Sequence, residues 1–272
     1  MYRTIVVPLD GSARAEAAVP IAAAFARRAL ADVDLVTVRD EPYGVHGADK
    51  SYLDGVAAAL TAPVGQIAVL SGGDPASALV AYAARRPDAV ICMTSHARSG
   101  VGEVLLGSVA EAVVHDSDRA VLLVGPAVRH DPVPTFDLML VALDGSRFAE
   151  QVMPVVERWH ESIGTRPWLI QVQDPALVAV AARTHSDVQE TGYLRRVAGR
   201  LERKGIDVDY DVLHDRDPAW AIARFADDLP ASVVAVATHA RRGPARMVLG
   251  SVAIGVVHRA HCPVLVVRGD DA

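Results

Sequence analysis

The chain has 272 residues, 51% of them hydrophobic and 22% charged, with a formal net charge of −6. This is an ordinary globular composition whose length fits about two domains. The acidic balance argues against a nucleic-acid binder, which needs a basic surface. The two cysteines, Cys92 and Cys262, form no Cys-x-x-Cys pair and lie in or beside apolar runs, so they read as core residues.

The chain opens on a β-branched run at 5–9 that meets Asp10-Gly11-Ser12, where Ser12 is placed to cap one helix running through Arg28. No basic leader precedes this strand, and no apolar run approaches the roughly 20 residues that span a bilayer. The expectation is a cytoplasmic protein without a membrane partner. A second strand at 33–38 is followed by a helical pattern at 51–60 and a third strand at 66–70. Asp74-Pro75 then supplies an N-cap and a first-turn proline for a helix that ends near Arg86-Pro87. A fourth strand at 89–94, a helix at 108–115 and a fifth strand at 120–125 complete the first half. The proline-rich, aperiodic stretch that follows reads as a linker at 127–136, between domains at 1–126 and 137–272.

The second domain repeats the first. Residues 4–12 match residues 138–146 at an offset of 134 (Asp10 to Asp144), and Asp74-Pro75 matches Asp217-Pro218 at an offset of 143. The difference, 143 − 134 = 9, places one insertion between Asp174 and Asp217. Helical patterns at 177–183 and 188–204, the latter closed by Gly205, fill this region; strands follow at 207–213 and 232–237. Continuous apolar strands alternating with helices argue for a doubly wound α/β layer in each half, with a parallel sheet covered on both faces. The apolar fifth strands, 121–124 and 264–267, are the expected docking edges between the halves.

In such a layer ligands bind beyond the carboxyl ends of the strands, near the point where strand order reverses. Asp10 ends the first strand and Thr94 the fourth, so the two converge if those strands are neighbours. Gly107 lets a backbone approach closely, while Ser108 and the free N–H groups of the following helix offer donors to a phosphate; Gly250 and Ser251 repeat the arrangement. Two plainer readings stand beside this one. Ser108 with Glu111 has the spacing of a capping box, although the second copy carries Ile254 in place of the glutamate. Asp10 and Asp144 also read as turn residues ahead of helix caps. His96 and His239 have no identifiable carboxylate or nucleophile partner, so no catalytic residue is assigned. His258, which repeats His115, and His261 read as residues of a helix end, and no metal site is assigned. No Gly-x-x-x-x-Gly-Lys-Ser/Thr loop is present.

Four landmarks occur in order in both copies: Pro8-Leu9-Asp10-Gly11-Ser12 with Ala15-Glu16, Gly73-Asp74-Pro75, the loop from Ser95 to Gly100, and Leu106-Gly107-Ser108-Val109. Together they resemble the universal stress protein family, in a tandem form that covers nearly the whole chain. The resemblance implies two five-stranded parallel sheets of the adenine-nucleotide alpha-hydrolase-like, Rossmann-like kind, forming an internal pseudo-dimer that homodimerises further. It also implies a non-enzymatic stress-response role with ATP, accompanied by Mg2+, as ligand. The glycine pattern of the ATP-binding members falls on Thr94, Ala97, Gly107 and Ser108, and again on Ala237, Ala240, Gly250 and Ser251, so the final Gly-Ser is intact twice and the first two glycines are replaced twice. The resemblance carries over as nucleotide contacts Pro8, Leu9, Asp10, Val38, Met93, Gly100 and Val109 in the first half. In the second half it carries over Ala142, Leu143, Asp144, Val172, Val236, Gly243 and Val252. Ala97 and Ala240 motivate an alternative, a nucleotide-free member acting through protein interaction; a slow ATPase or nucleotidyl-transfer enzyme is the third reading.

Overall fold

A computed structural model describes residues 1–39, 46–95, 106–176, 191–229, 232–239 and 250–269, with only the backbone at 46–48 and 239. In the first half, β1 (Thr4–Pro8), β2 (Asp32–Arg39), β3 (Val64–Ser71), β4 (Ala89–Thr94) and β5 (Val121–Val124) alternate with helices. The helices are α1 (Ala13–Glu16), α2 (Ala18–Ala29), α3 (His46–Ala59), α4 (Pro75–Ala84) and α5 (Ser108–Asp116). The second half repeats them: β6 (Leu138–Ala142), a 3-10 turn (Ala149–Val152), α6 (Met153–Ile163), β7 (Arg166–Gln173), α7 (Gly192–Glu202), β8 (Asp209–His214), α8 (Pro218–Asp228), β9 (Val233–His239), α9 (Ser251–Arg259) and β10 (Val264–Gly269). The predicted helix at 177–183 lies outside the described residues.

The single helix expected from Ser12 through Arg28 is divided at Ala17. Pro20 is the reason: it has no N–H to give to the carbonyl of residue 16, and its ring is tolerated only in a first turn. Pro154, its counterpart at an offset of 134, stands in the first turn of α6 behind the 3-10 turn, so both halves break at the same place. The α4 start forms as expected, with Asp74 accepting a hydrogen bond from the Ser77 N–H at 2.8 Å and Pro75 opening the helix.

All ten strands join one sheet in the order β3-β2-β1-β4-β5-β10-β9-β6-β7-β8. Pairing is parallel within each half and antiparallel where β5 meets β10. The fifth strands are thus the docking edges. In that junction Leu122 pairs with Leu265, and Val121 with Val266. Leu122 and Leu265 are the same position of the repeat (offset 143), so a local pseudo-two-fold axis passes through this pair, as in an isologous dimer interface. Gly125, next to the junction, approaches the carbonyl of Val257 so closely that a Cβ would lie 1.8 Å from its oxygen.

Both faces of the sheet are buried, as the uninterrupted apolar strands require. One core layer packs α2, α3, α6 and α7, and the other packs α4, α5, α8 and α9; each contains residues of both halves. Cys92 and Cys262 are buried free thiols, one in each layer. Desolvation raises the Cys92 thiol far above its ordinary value and raises Cys262 to about 12.

On the first face four aromatic rings meet across the halves. Phe25 stacks on Trp159 with centroids 4.5 Å apart, Tyr2 is edge-on to Trp159 at 6.2 Å, and Phe136 is edge-on to Phe25 at 5.2 Å. Phe25 and Trp159 are one position of the repeat, Tyr2 and Phe136 another, both at an offset of 134. The cluster therefore obeys the pseudo-two-fold axis as well.

Away from the axis the halves differ. Asp34, 2% exposed on β2, accepts hydrogen bonds from Tyr82 Oη (2.9 Å), the Gln66 N–H (2.8 Å) and Arg86 Nε (2.8 Å). The positions equivalent to Asp34 and Tyr82 hold Trp168 and Phe225, which pack edge to face at 6.3 Å. A buried ion-pair network in one half is an aromatic contact in the other.

Candidate functional site

β1 lies beside β4, and β6 beside β9, so strand order reverses between these pairs. The Asp-Gly-Ser turns and the ends of β4 and β9 meet there. In the first turn the Asp10 Oδ1 accepts from the Ser12 N–H (3.0 Å) and Oγ (2.6 Å), while the Ser12 Oγ caps α1 by accepting from the Ala15 N–H (3.1 Å). In the second, Asp144 Oδ1 accepts from the Ser146 N–H (2.9 Å) and Ser146 Oγ from the Ala149 N–H (3.0 Å). Gly11 at φ 80° and Gly145 at φ 89° supply the left-handed step that brings each serine round to its carboxylate. Both aspartates therefore hold their own turns while remaining exposed at the strand ends.

Helices α5 and α9 begin at Ser108 and Ser251, with Gly107, in extended conformation, and Gly250 as N-caps. This corrects the capping-box reading. Ser108 is the first helical residue, one position too late to reach back to the N–H groups of the first turn, and the glycine that occupies the cap has no side chain. The N-cap residues themselves therefore give the first N–H groups of these helices no side-chain bond. Gly250 has φ −49°, which any residue adopts, and a Cβ there would meet none of the described residues within 4 Å.

The Gly107 N–H donates to the carbonyl of Ser95 at 3.0 Å, tying the helix start to the end of β4. Ser95 is 0% exposed, and its Oγ has no hydrogen-bond partner among the described residues. Thr238, its counterpart at an offset of 143, is 2% exposed with its Oγ1 in the same condition.

Among the residues singled out from sequence, Asp10, Asp144, Ser108, Ser251 and Val252 are exposed at this edge. Pro8, Val38, Thr94, Val109, Ala142, Val172 and Ala237 are half-buried, and Gly107 is buried. Leu9, Leu143, Met93 and Val236 are buried in the two core layers. Ala97, Gly100, Ala240 and Gly243 lie outside the described residues, as does His96; of His239 only the backbone is described.

The model of the universal stress protein family matches residues 1–125 and again residues 135–268. The chain belongs to that family. A universal stress protein of Mycobacterium tuberculosis is 30% identical over 188 residues, which cover 66% of this chain and 61% of that protein. A universal stress protein of Mycobacterium bovis gives the same figures, so the match spans about three-fifths of these relatives' length. The crystal structure of a universal stress protein from Archaeoglobus fulgidus aligns with 97% of this chain and 98% of its own, with a TM-score of 0.67 at 22% identity, a likeness of fold.

Within this tandem universal stress protein the structure adds a residue that the repeat offsets hide. Tyr52 on α3 donates to Glu16 Oε1 at 3.0 Å, and its phenol is raised by burial first, then by Glu16, with Asp10 adding to the effect. Tyr193 on α7 is raised to about 12 by burial first, then by the charges of Glu150 and Asp144. Glu150 and Asp144 are the counterparts of Glu16 and Asp10 (offset 134), so each half sets a tyrosine among the same two carboxylates. The tyrosines themselves are 141 apart (193 − 52), inside the stretch where the insertion falls, and no fixed offset pairs them. A surface cleft of about 440 Å³ lies between α6 and α7, lined by Met153, Val197 and Leu201. Ion pairs of Arg200 with Glu150 and of Lys204 with Glu157 flank it.

Proposed function

We propose that this universal stress protein binds ATP, without turning it over, beyond the carboxyl ends of β1 and β4 and of β6 and β9. The observation that carries the reading is the pair of Gly-Ser helix starts at these switch points, whose cap glycines offer no side-chain bond, together with the buried Ser95 and Thr238 hydroxyls at the strand ends, which have no partner among the described residues. Backbone N–H groups at a helix N-terminus form an anion site, and an open glycine leaves room for one. Bound ATP supplies a polyphosphate charge, shared with Mg2+, and an aromatic base. The residues of the chain would orient it: the N–H groups and hydroxyls of Ser108 and Ser251 toward phosphate oxygens, Val38 and Val172 as the apolar side for the base. Asp10 and Asp144 would stand at the rim near the nucleoside. Each of these carboxylates already holds its own turn, which gives it a scaffold role at the strand end.

A second reading, a nucleotide-free protein acting through protein contacts, is favoured by Ala97 and Ala240, where a methyl group replaces loop glycine in both halves. The experiment that separates them is extraction. Denatured protein should release adenine nucleotide detectable by mass spectrometry, and calorimetry should show ATP binding that Gly107→Glu with Gly250→Glu abolishes. Protein that releases no nucleotide and takes up no ATP refutes the first reading; binding that survives both glutamates puts the ligand elsewhere.

A further inference from the structure

We infer that β3, one outer edge of the ten-stranded sheet, pairs antiparallel with β3 of a second copy of this chain across a two-fold axis. The inference is independent of the nucleotide reading and concerns which surface pairs, a point that the resemblance leaves open.

β3 stands at one end of the sheet and β8 at the other. An edge strand leaves a row of N–H and C=O groups pointing away from its single neighbour. On β3 the ladder runs to β2 alone, with Ile67 opposite Leu35 and Leu70 opposite Val38. Beyond that ladder, no hydrogen bond among the described residues takes up the main chain of 67–71. The side chains give no protection either. Ile67 and Val69 pack against the core layer of α2 and α3, and Ala68 and Leu70 against that of α4 and α5, all four half-buried. The whole strand, Val64–Ser71, carries no charge and no proline. A long apolar edge of this kind is a template for one more strand.

β8 shows the opposite solution. Tyr210, opposite Leu169, corresponds to Ile67, opposite Leu35, at the offsets of 143 and 134 that relate the halves. By the same correspondence Val64, Gln66 and Ala68 become Asp207, Asp209 and Asp211. Asp207 and Asp209 pair with Arg166, and Asp211 accepts from Trp168 Nε1 at 3.0 Å. One edge of the sheet thus carries three carboxylates where the other carries none.

That contrast selects the occupant. β8 against a second β8 would set carboxylates opposite carboxylates, which is unfavourable. A contact of β3 with β8 is heterologous and grows into an open filament. β3 against β3 closes at two copies. Because residues 67–70 are all apolar, apolar side chains face each other in any register over that stretch. An unrelated extended segment would have to match this uncharged edge, whereas a second copy does so by symmetry. The chain already joins two equivalent edges antiparallel at β5 and β10, and the new pair continues the same sheet into the second copy.

The test uses the intact chain. Sedimentation equilibrium over a dilution series should give a monomer–dimer equilibrium, and hydrogen exchange should show amides of 67–71 protected in the dimer and exposed on dilution. Val64→Lys with Ser71→Lys puts charges at two exposed positions near the strand ends, so antiparallel pairing brings lysines opposite lysines. Association should weaken about tenfold or more. Val64→Thr with Ser71→Thr, uncharged and suited to a strand, should dimerise as the wild type does. A wild type that is monomeric at every concentration, or that forms polymers growing with concentration, overturns the inference. So does a dimer that the lysines leave equally strong, or one in which 67–71 exchange as fast as in the monomer. The exchange measurement needs no variant and decides the matter even where the lysine pair disturbs folding.

Discussion

Phe25 stacks on a tryptophan of the other half, and replacing it by alanine tests whether the two halves unfold as one body. Phe25 and Trp159 are each 0% exposed. Burying a phenylalanine contributes about 1.5–3 kcal/mol by transfer alone. Tyr2 and Phe136, the other walls of the site, belong to different halves and cannot both collapse into the space, so a cavity cost adds to the transfer term. Phe25→Ala should therefore cost about 3–5 kcal/mol, a large share of the roughly 5–15 kcal/mol that holds a typical domain. The protein provides its own reporter: all three tryptophans, Trp159, Trp168 and Trp220, lie in the second half. In urea, tryptophan fluorescence follows that half while far-ultraviolet circular dichroism follows the whole chain. Both midpoints should shift down together, and the Phe25–Trp159 pair should show a coupling of about 0.5–1.5 kcal/mol in a double-mutant cycle. A fluorescence midpoint that stays in place while circular dichroism records earlier loss of the first half would refute the shared core.

Two further expectations concern charge. Asp34→Ala leaves Arg86 beside a buried, vacated site and removes the shorter of the two acceptors of Tyr82, and should cost about 3–5 kcal/mol in urea unfolding; a loss under about 1 kcal/mol would mean that the network is only surface decoration. At alkaline pH stability should fall. Burial raises Tyr2 and Tyr82 from 10.0 to about 12, and Cys262 from 9.0 to about 12. Below the unfolded values these groups are protonated in both states and the full stability is present. It is then lost as pH rises through the window from about 9 to 12, because the unfolded chain releases its protons first. Equilibrium unfolding across that range, read beside tyrosinate absorbance, checks the sign; tyrosinate formation well before any loss of stability contradicts it.

The duplication, the strand–helix alternation and the docking edges are legible in sequence because they rest on local pattern: apolar runs, caps at Ser12 and Asp74, and a fixed offset between copies. The start of α5 is less so. Ser108 and Glu111 have the spacing of a capping box, and only the extended backbone of Gly107 moves the cap one residue earlier. Pro20 could have divided the first helix on paper, since a proline without its N–H is a local signal, but the apolar period runs through it. The tyrosines beside Glu16 and Glu150 escape because an insertion between the copies destroys their common offset. The hydroxyls of Ser95 and Thr238 are visible as letters in the loop motif; that they are buried without partners depends on long-range packing that no window of sequence contains.

The Leu122–Leu265 pairing has a consequence for mass action. Two separate copies meeting along such an edge would part on dilution, whereas here the continuous chain keeps the partner edge at a fixed effective concentration whatever the amount of protein. The pairing should hold at concentrations where an unlinked dimer would have dissociated. Fusion also changes what a substitution can do. In a true dimer every change appears on both sides of the axis at once, but in this chain a residue on one side varies alone, and the Asp34 network and its aromatic counterpart are the record of that freedom.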